Sequence, residues 1–94
     1  MNDRISVHVR IEGRVQGVGY RYWAMEQARA RRLSGWVRNR RDGSVEALFA
    51  GPAALVEEMV AACHQGPLGA RVTQVMESTA ETPRESGFRQ LPTE

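Results

Sequence analysis

The spacing of apolar residues along this chain switches between the two-residue period of a strand and the 3.6-residue period of a helix. The order of those switches leaves few folds open. Ile5, Val7, Val9 and Ile11 alternate with Ser6, His8, Arg10 and Glu12, the pattern of a strand with one face buried. From about Tyr20 to Leu33 the run YRYWAMEQARARRL lacks proline and glycine and is rich in helix formers, so a helix is expected, ended by Ser34-Gly35. GWVRN and SVEALFA are strand-like, with Val45, Ala47 and Phe49 on one face, and Asp42-Gly43 between them signals a hairpin turn. In PAALVEEMVAACHQ the residues Leu55, Val56, Met59, Val60, Ala62 and Cys63 share one arc of a helix opposite Glu57, Glu58 and Gln65, and Pro52 suits its first turn. Gly66-Pro67 ends that helix. ARVTQVMEST follows as a strand, TPRESG as a loop and FRQL as a short last strand.

The resulting order, β-α-β-β-α-β, predicts an α+β fold: a ferredoxin-like split β-α-β sandwich whose antiparallel sheet carries two helices on one face. Each crossover is expected to be right-handed. With 94 residues and no linker or repeat, residues 1–94 read as one domain. The N-terminus lacks the character of a signal or transit peptide, and no apolar run approaches a membrane span, so a soluble, cytoplasmic protein with no membrane partner is expected. Cys63 is the single cysteine, which excludes an internal disulfide and a multi-cysteine metal site. All thirteen basic residues are arginine, so Schiff-base and P-loop lysine chemistry is absent.

Between the first strand and the first helix lies GRVQGVGYR, residues 13–21, with Gly13, Gly17 and Gly19. Glycines there permit positive φ, which lets successive main-chain N–H groups face one concave surface that suits an anion. The helix that follows adds its unpaired N–H groups and the positive end of its dipole, and Arg21 on the first turn could close over the anion with two hydrogen bonds. From the residues alone two readings stay open, a phosphate-sized cradle or an ordinary tight turn beside a solvated arginine. The stretch is neither a Walker loop, which needs a following Lys-Ser or Lys-Thr, nor a dinucleotide fingerprint, whose spacing fails at Tyr22.

The run IEGRVQGVGYR, from Ile11 to Arg21, resembles the first signature of the acylphosphatase family. GWVRNRRDGSV, from Gly35 to Val45, with Gly51 beyond, resembles the second, and GPLGARVTQV, from Gly66 to Val75, fits the family's later pattern. The resemblance implies the same α/β sandwich and the hydrolysis of acyl phosphates to a carboxylate and inorganic phosphate. By motif position it implies that Arg21 binds the phosphate and Asn39 holds the attacking water, as the two catalytic residues. It also implies that Val15, Gln16, Gly17, Val18, Gly19 and Tyr20 form the phosphate-binding loop. No metal or cofactor is implied, and phosphate or sulfate is expected to fit the same site. The chemistry is consistent: an acyl phosphate has a good leaving group, so positioning a water and neutralising the phosphoryl oxygens suffices. Asn39 is neutral, a poor base but a suitable orienter of water.

Three departures from the family pattern stand out. Tyr20 occupies a position where phenylalanine is common, which adds a hydroxyl near the loop. Arg31-Arg32 replaces a frequent Leu-Gly, so the expected glycine cap of the first helix is missing. Gln90 follows Phe88 where an apolar residue is usual, which weakens the last strand.

The other candidates read as structural. His8 is expected to be an exposed strand residue, His64 to complement the second helix's dipole, and neither has a carboxylate or cysteine at ligand spacing. Cys63 reads as a small core residue, Glu57 and Glu58 as a solvated pair, and Tyr22, Trp23 and Trp36 as packing residues. The rival functions are an RNA-recognition module, given Arg38, Arg40 and Arg41 on the hairpin, and an acyl- or carbamoyl-phosphate-binding domain of a larger enzyme. SVEALFA lacks the basic-Gly-aromatic consensus of the former, so no nucleic-acid partner is expected. A free chain of this length favours a monomer acting on a small molecule over the latter.

Overall fold

The structure, a computed structural model, describes residues 3–94. Its elements are β1 (Arg4–Arg14), α1 (Tyr20–Ala30), β2 (Ser34–Asn39), β3 (Val45–Pro52), α2 (Ala53–Cys63), β4 (Arg71–Thr79) and β5 (Phe88–Gln90). The sheet order is β4-β1-β3-β2-β5. The first four strands in that order pair antiparallel, as the pattern predicts. The short FRQL segment does more than continue the pattern: β5 adds to the free edge of β2 in parallel, making the sheet mixed. Phe88 drives this docking, since its ring is buried and stacks on Phe49 with centroids 5.5 Å apart.

The alternation in β1 and β3 puts Val9, Ile11, Val45, Ala47 and Phe49 into one core under the helices, joined by Val37 from β2. Helix α1 packs on β2 and β5, and α2 on β1 and β3. Helix α1 buries small residues, Ala24 and Ala28, behind the large Tyr20, which lets it sit close to the sheet. Helix α2 buries Val56, Met59, Val60 and Cys63, the arc read from the sequence.

Helix α1 is shorter than expected, ending at Ala30 instead of near Leu33. The reason lies in Arg32, whose φ of 56° makes it the single non-glycine residue with positive φ among those described. The Arg32 N–H donates to Arg29 O at 3.0 Å and the Leu33 N–H to Ala28 O at 2.9 Å. That pair of bonds is a Schellman cap, built on arginine where glycine is the usual residue.

After β5 the chain keeps running along β2. The Leu91 N–H donates to Val37 O at 2.9 Å and the Glu94 N–H to Asn39 O at 3.1 Å. The C-terminal segment therefore braces the end of β2 on which Asn39 sits.

Candidate active site

The stretch GRVQGVGYR divides into two parts with different reasons for their glycines. Gly13 belongs to the sheet, beside an irregularity in the β1–β4 register. A Cβ there would lie 2.1 Å from Arg71 O, so glycine is required by the close approach of β4 and not by an anion cradle. Gly17 and Gly19 have φ of 75° and 80°, and a Cβ on either would meet nothing within 4 Å. Their glycine identity answers to backbone conformation alone, and the space beside them is open.

Gly19 is the N-cap of α1, with no side-chain cap and no acidic residue in the first turn. Among the described residues, no main-chain carbonyl takes the N–H groups of residues 16–22. A row of free donors thus coincides with the uncompensated positive end of the helix. The cavity they surround is lined by Val15, Gln16, Gly17, Gly19, Tyr20, Arg21, Tyr22, Asn39 and Gln90, with a volume of 160 Å³. Arg21 and Asn39, distant in sequence and carried on different elements, meet in this one cavity. Arg21 has no ion-pair partner among the described residues, so its guanidinium is available to an anion.

Of the expected loop residues, Val18 is the one that does not line the cavity; it packs against the hydrophobic core. Gln16 has a role the sequence did not reveal. Its Nε2 donates to Arg40 O and to Ser44 O, both at 2.8 Å, which ties the glycine loop to the hairpin following Asn39. Gln16 therefore lines the cavity and holds the two halves together through its side chain. No local pattern announces such a bond, because its acceptors are main-chain atoms more than twenty residues away.

The Tyr20 hydroxyl is not at the loop. It points away, into the core, and donates to Cys63 O at 2.7 Å. Burial, reinforced by Cys63, holds that phenol protonated well above its ordinary range. Burial likewise pushes the Cys63 thiol up to about 12, so it is an inert packing group. Tyr20 anchors the first turn of α1 to α2, a structural use of the extra hydroxyl. Tyr22, expected to be a packing residue, is 60% exposed and stands at the cavity mouth with Gln90. Gln90 does not disrupt β5, where it pairs in register with Val37.

The open face of the sheet holds a charge network instead of a free basic surface. Glu46 sits at 2.6 Å from His8, 2.7 Å from Arg38 and 3.3 Å from Arg40. Burial alone would raise its carboxyl, but the hydrogen bonds from His8 and Arg38 outweigh that and hold it below the ordinary value. His8 is thus a partnered, half-buried residue and not a freely exposed one. Arg38 also reaches Glu94 at 2.8 Å and lies 4.8 Å over the Trp36 ring, so Trp36 is occupied by a cation. His64 is the C-cap residue of α2, and Glu58, exposed like Glu57 as expected, also accepts from Arg31 Nε at 2.9 Å. Among the described residues no group of three or more His, Cys, Asp or Glu side chains converges as a metal site would need, and no helix is long and apolar enough to cross a membrane.

The family model for acylphosphatase matches residues 7–90. The chain belongs to the acylphosphatase family. It is 54% identical to an acylphosphatase of Nitrobacter hamburgensis over 97% of its own length and 98% of the relative's. It is similar to the structure of an acylphosphatase from Coxiella burnetii, with a TM-score of 0.91 at 30% identity, covering 96% of this chain and 94% of the other. The same fold recurs within full-length HypF, crystallised in a phosphate- and nucleotide-bound form. There the TM-score is 0.89 at 20% identity, covering 99% of this chain but 12% of HypF, a likeness of fold alone. The acylphosphatase fold read from the sequence is the fold observed.

Proposed function

We propose that this chain is an acylphosphatase that hydrolyses the carboxyl–phosphate bond of small acyl phosphates. The observation that carries this is the shared cavity: free N–H groups at a helix N-terminus, an unpaired arginine and an asparagine line one space of 160 Å³. The dianionic phosphoryl group sits against the amides of residues 16–20, and Arg21 donates to two of its oxygens. These donors are fixed before substrate arrives, so they neutralise the phosphoryl oxygens without reorganising. The Asn39 side-chain carbonyl accepts from a water and holds it in line with the breaking bond, while its NH₂ group remains free to donate to the same water or to the phosphoryl group.

Water oxygen bonds to phosphorus as the bond from phosphorus to the acyl oxygen breaks, and the carboxylate leaves with that electron pair. Both protons of the water end on the phosphate, giving RCOO⁻ and H₂PO₄⁻ from RCO–OPO₃²⁻ and H₂O. No side chain has to act as a base, which suits a site whose water partner is an amide. The leaving carboxylate is a weak base, so the transition state is loose and the main demands are position and charge. No step calls on a metal, a cofactor or a second chain, so the reading is of a metal-independent monomer. Tyr22 and Gln90, at the mouth, are where the acyl group emerges. Orthophosphate, the product, and sulfate, of the same shape, are expected to compete for the cavity.

The test is release of phosphate from benzoyl phosphate and acetyl phosphate, compared with phenyl phosphate, with and without a chelator. Turnover of both anhydrides and not of the ester, unaffected by chelator, is the expected result. Hydrolysis of the ester at a comparable rate, or strict dependence on added Mg²⁺, would contradict the reading.

A further inference from the structure

The far end of α1 carries a feature that this reaction does not use. A groove of 570 Å³, more than three times the 160 Å³ of the candidate active site, is walled by Arg29, Arg32, Arg89, Ser34 and Ser86 over a floor of Leu33 and Phe88. Helix α1 has 11 residues, so the two cavities are separated by about 16 Å of helix. The volume falls within the range of small-molecule sites.

Some arginines of the surface are tied into ion pairs, and those of the groove largely are not. Arg10 and Arg38 are held by Asp42 and Glu46, and Arg31 by Glu58. Among the described residues Arg29 and Arg32 have no carboxylate partner, and Arg89 has only Glu85. Arg29 is aimed by its own chain: Nε and Nη2 both donate to Phe88 O, at 3.1 and 2.9 Å, which fixes the guanidinium plane and leaves Nη1 free. Arg32 holds the left-handed position of the helix cap, φ 56°, which glycine would fill without strain. An arginine with a left-handed backbone, beside a groove with two further guanidinium groups, is an outlier that points to use.

We propose that this groove is a second anion site, taking a phosphorylated small molecule with an apolar body. The phosphate dianion lies among the guanidinium groups of Arg29, Arg32 and Arg89 with the hydroxyls of Ser34 and Ser86 in reach, and the body lies along the methylene stems of those arginines, above the buried Leu33 and Phe88. Planar guanidinium forks match phosphate oxygens in pairs; Arg32 offers its fork, Arg29 its free Nη1, and Arg89 the donors that Glu85 leaves open.

Phenyl phosphate tests this, since it carries both parts and is a dianion above about pH 7. Amide resonances are followed during titration, Leu33, Ser34 and Gly87 reporting the groove and Gly17 and Gly19 the candidate active site. Both sets should move in the wild-type protein, while orthophosphate, lacking the ring, should move the groove set far less. Arg32→Gly, which relieves the backbone and keeps the cap, should weaken binding in the groove by roughly tenfold or more, with binding at Gly17 and Gly19 and turnover of benzoyl phosphate unchanged. Arg29→Gln offers an independent second variant with the same expected loss. Groove amides that stay still while the active-site amides saturate would overturn the proposal, and so would undiminished groove binding in both variants. Failure of benzoyl phosphate hydrolysis would count against the active-site reading and leave this result to be judged by its own resonances.

Discussion

Helix α1 begins and ends on a left-handed residue, Gly19 at φ 80° and Arg32 at φ 56°, and the two ends put the same backbone device to different use. At Gly19 the turn leaves main-chain donors free around a small cavity, with one arginine nearby. At Arg32 the turn satisfies the last carbonyls of the helix through two cap bonds and leaves the side chain over a groove. A helix N-terminus offers N–H groups, so the backbone itself can bind an anion there. A C-terminus offers carbonyls, which repel anions, so any anion at that end has to be held by side chains. In the two proposed sites this polarity accounts for one arginine at the first end and three at the second.

Substitutions at the two ends separate these roles. The largest effect is expected from Arg21→Lys, since a point charge cannot replace a two-pronged donor; kcat/KM for benzoyl phosphate should fall by roughly 100- to 1,000-fold while the circular dichroism spectrum is kept. Asn39→Ala should follow, with kcat lower by about 100-fold from a misplaced water and the inhibition constant of orthophosphate nearly unchanged. Equal loss of orthophosphate affinity would move Asn39 from the water to the anion. Gly19→Ala places a Cβ on a left-handed residue in open space, so strain without a clash should cost about 1 kcal/mol, read from the urea midpoint, with a further loss of turnover as the amides shift. Arg32→Gly is the mirror of that change and should have the smallest effect, a gain of less than about 1 kcal/mol with hydrolysis untouched. If Arg32→Gly lowered turnover, the two ends of α1 would be coupled and the contrast between them would fail.

The parts of the fold that were legible in the sequence are those whose signal is local. Alternation marks β1 and β3, the apolar arc marks α2, and Asp42-Gly43 marks the hairpin. The cavity was legible only in part: Gly17, Gly19 and Arg21 lie within one short run that left a cradle and an ordinary turn both open, and the family resemblance is what singled out Arg21 and Asn39. What remained hidden depends on partners far away in the chain. The parallel docking of β5 rests on Phe88 meeting Phe49. The hydroxyl of Tyr20 reads as a loop feature until α2 is seen to supply its acceptor in Cys63. Gln16 reads as one more loop residue, although its side chain bridges to Arg40 and Ser44. His8 looks exposed because Glu46, which neutralises its surroundings, arrives from a neighbouring strand. The end of α1 was misjudged for a different reason: glycine is the common marker of a left-handed cap, and Arg32 adopts that conformation without it.

The central claim is that the donors at the start of α1 hold a phosphoryl group while Asn39 directs water to its phosphorus. Hydrolysis of benzoyl phosphate in water enriched in oxygen-18, with both products examined by mass spectrometry, tests it most directly. The account predicts one labelled oxygen in the inorganic phosphate and none in the benzoate. Label in the benzoate would place the attack at the acyl carbon and contradict it.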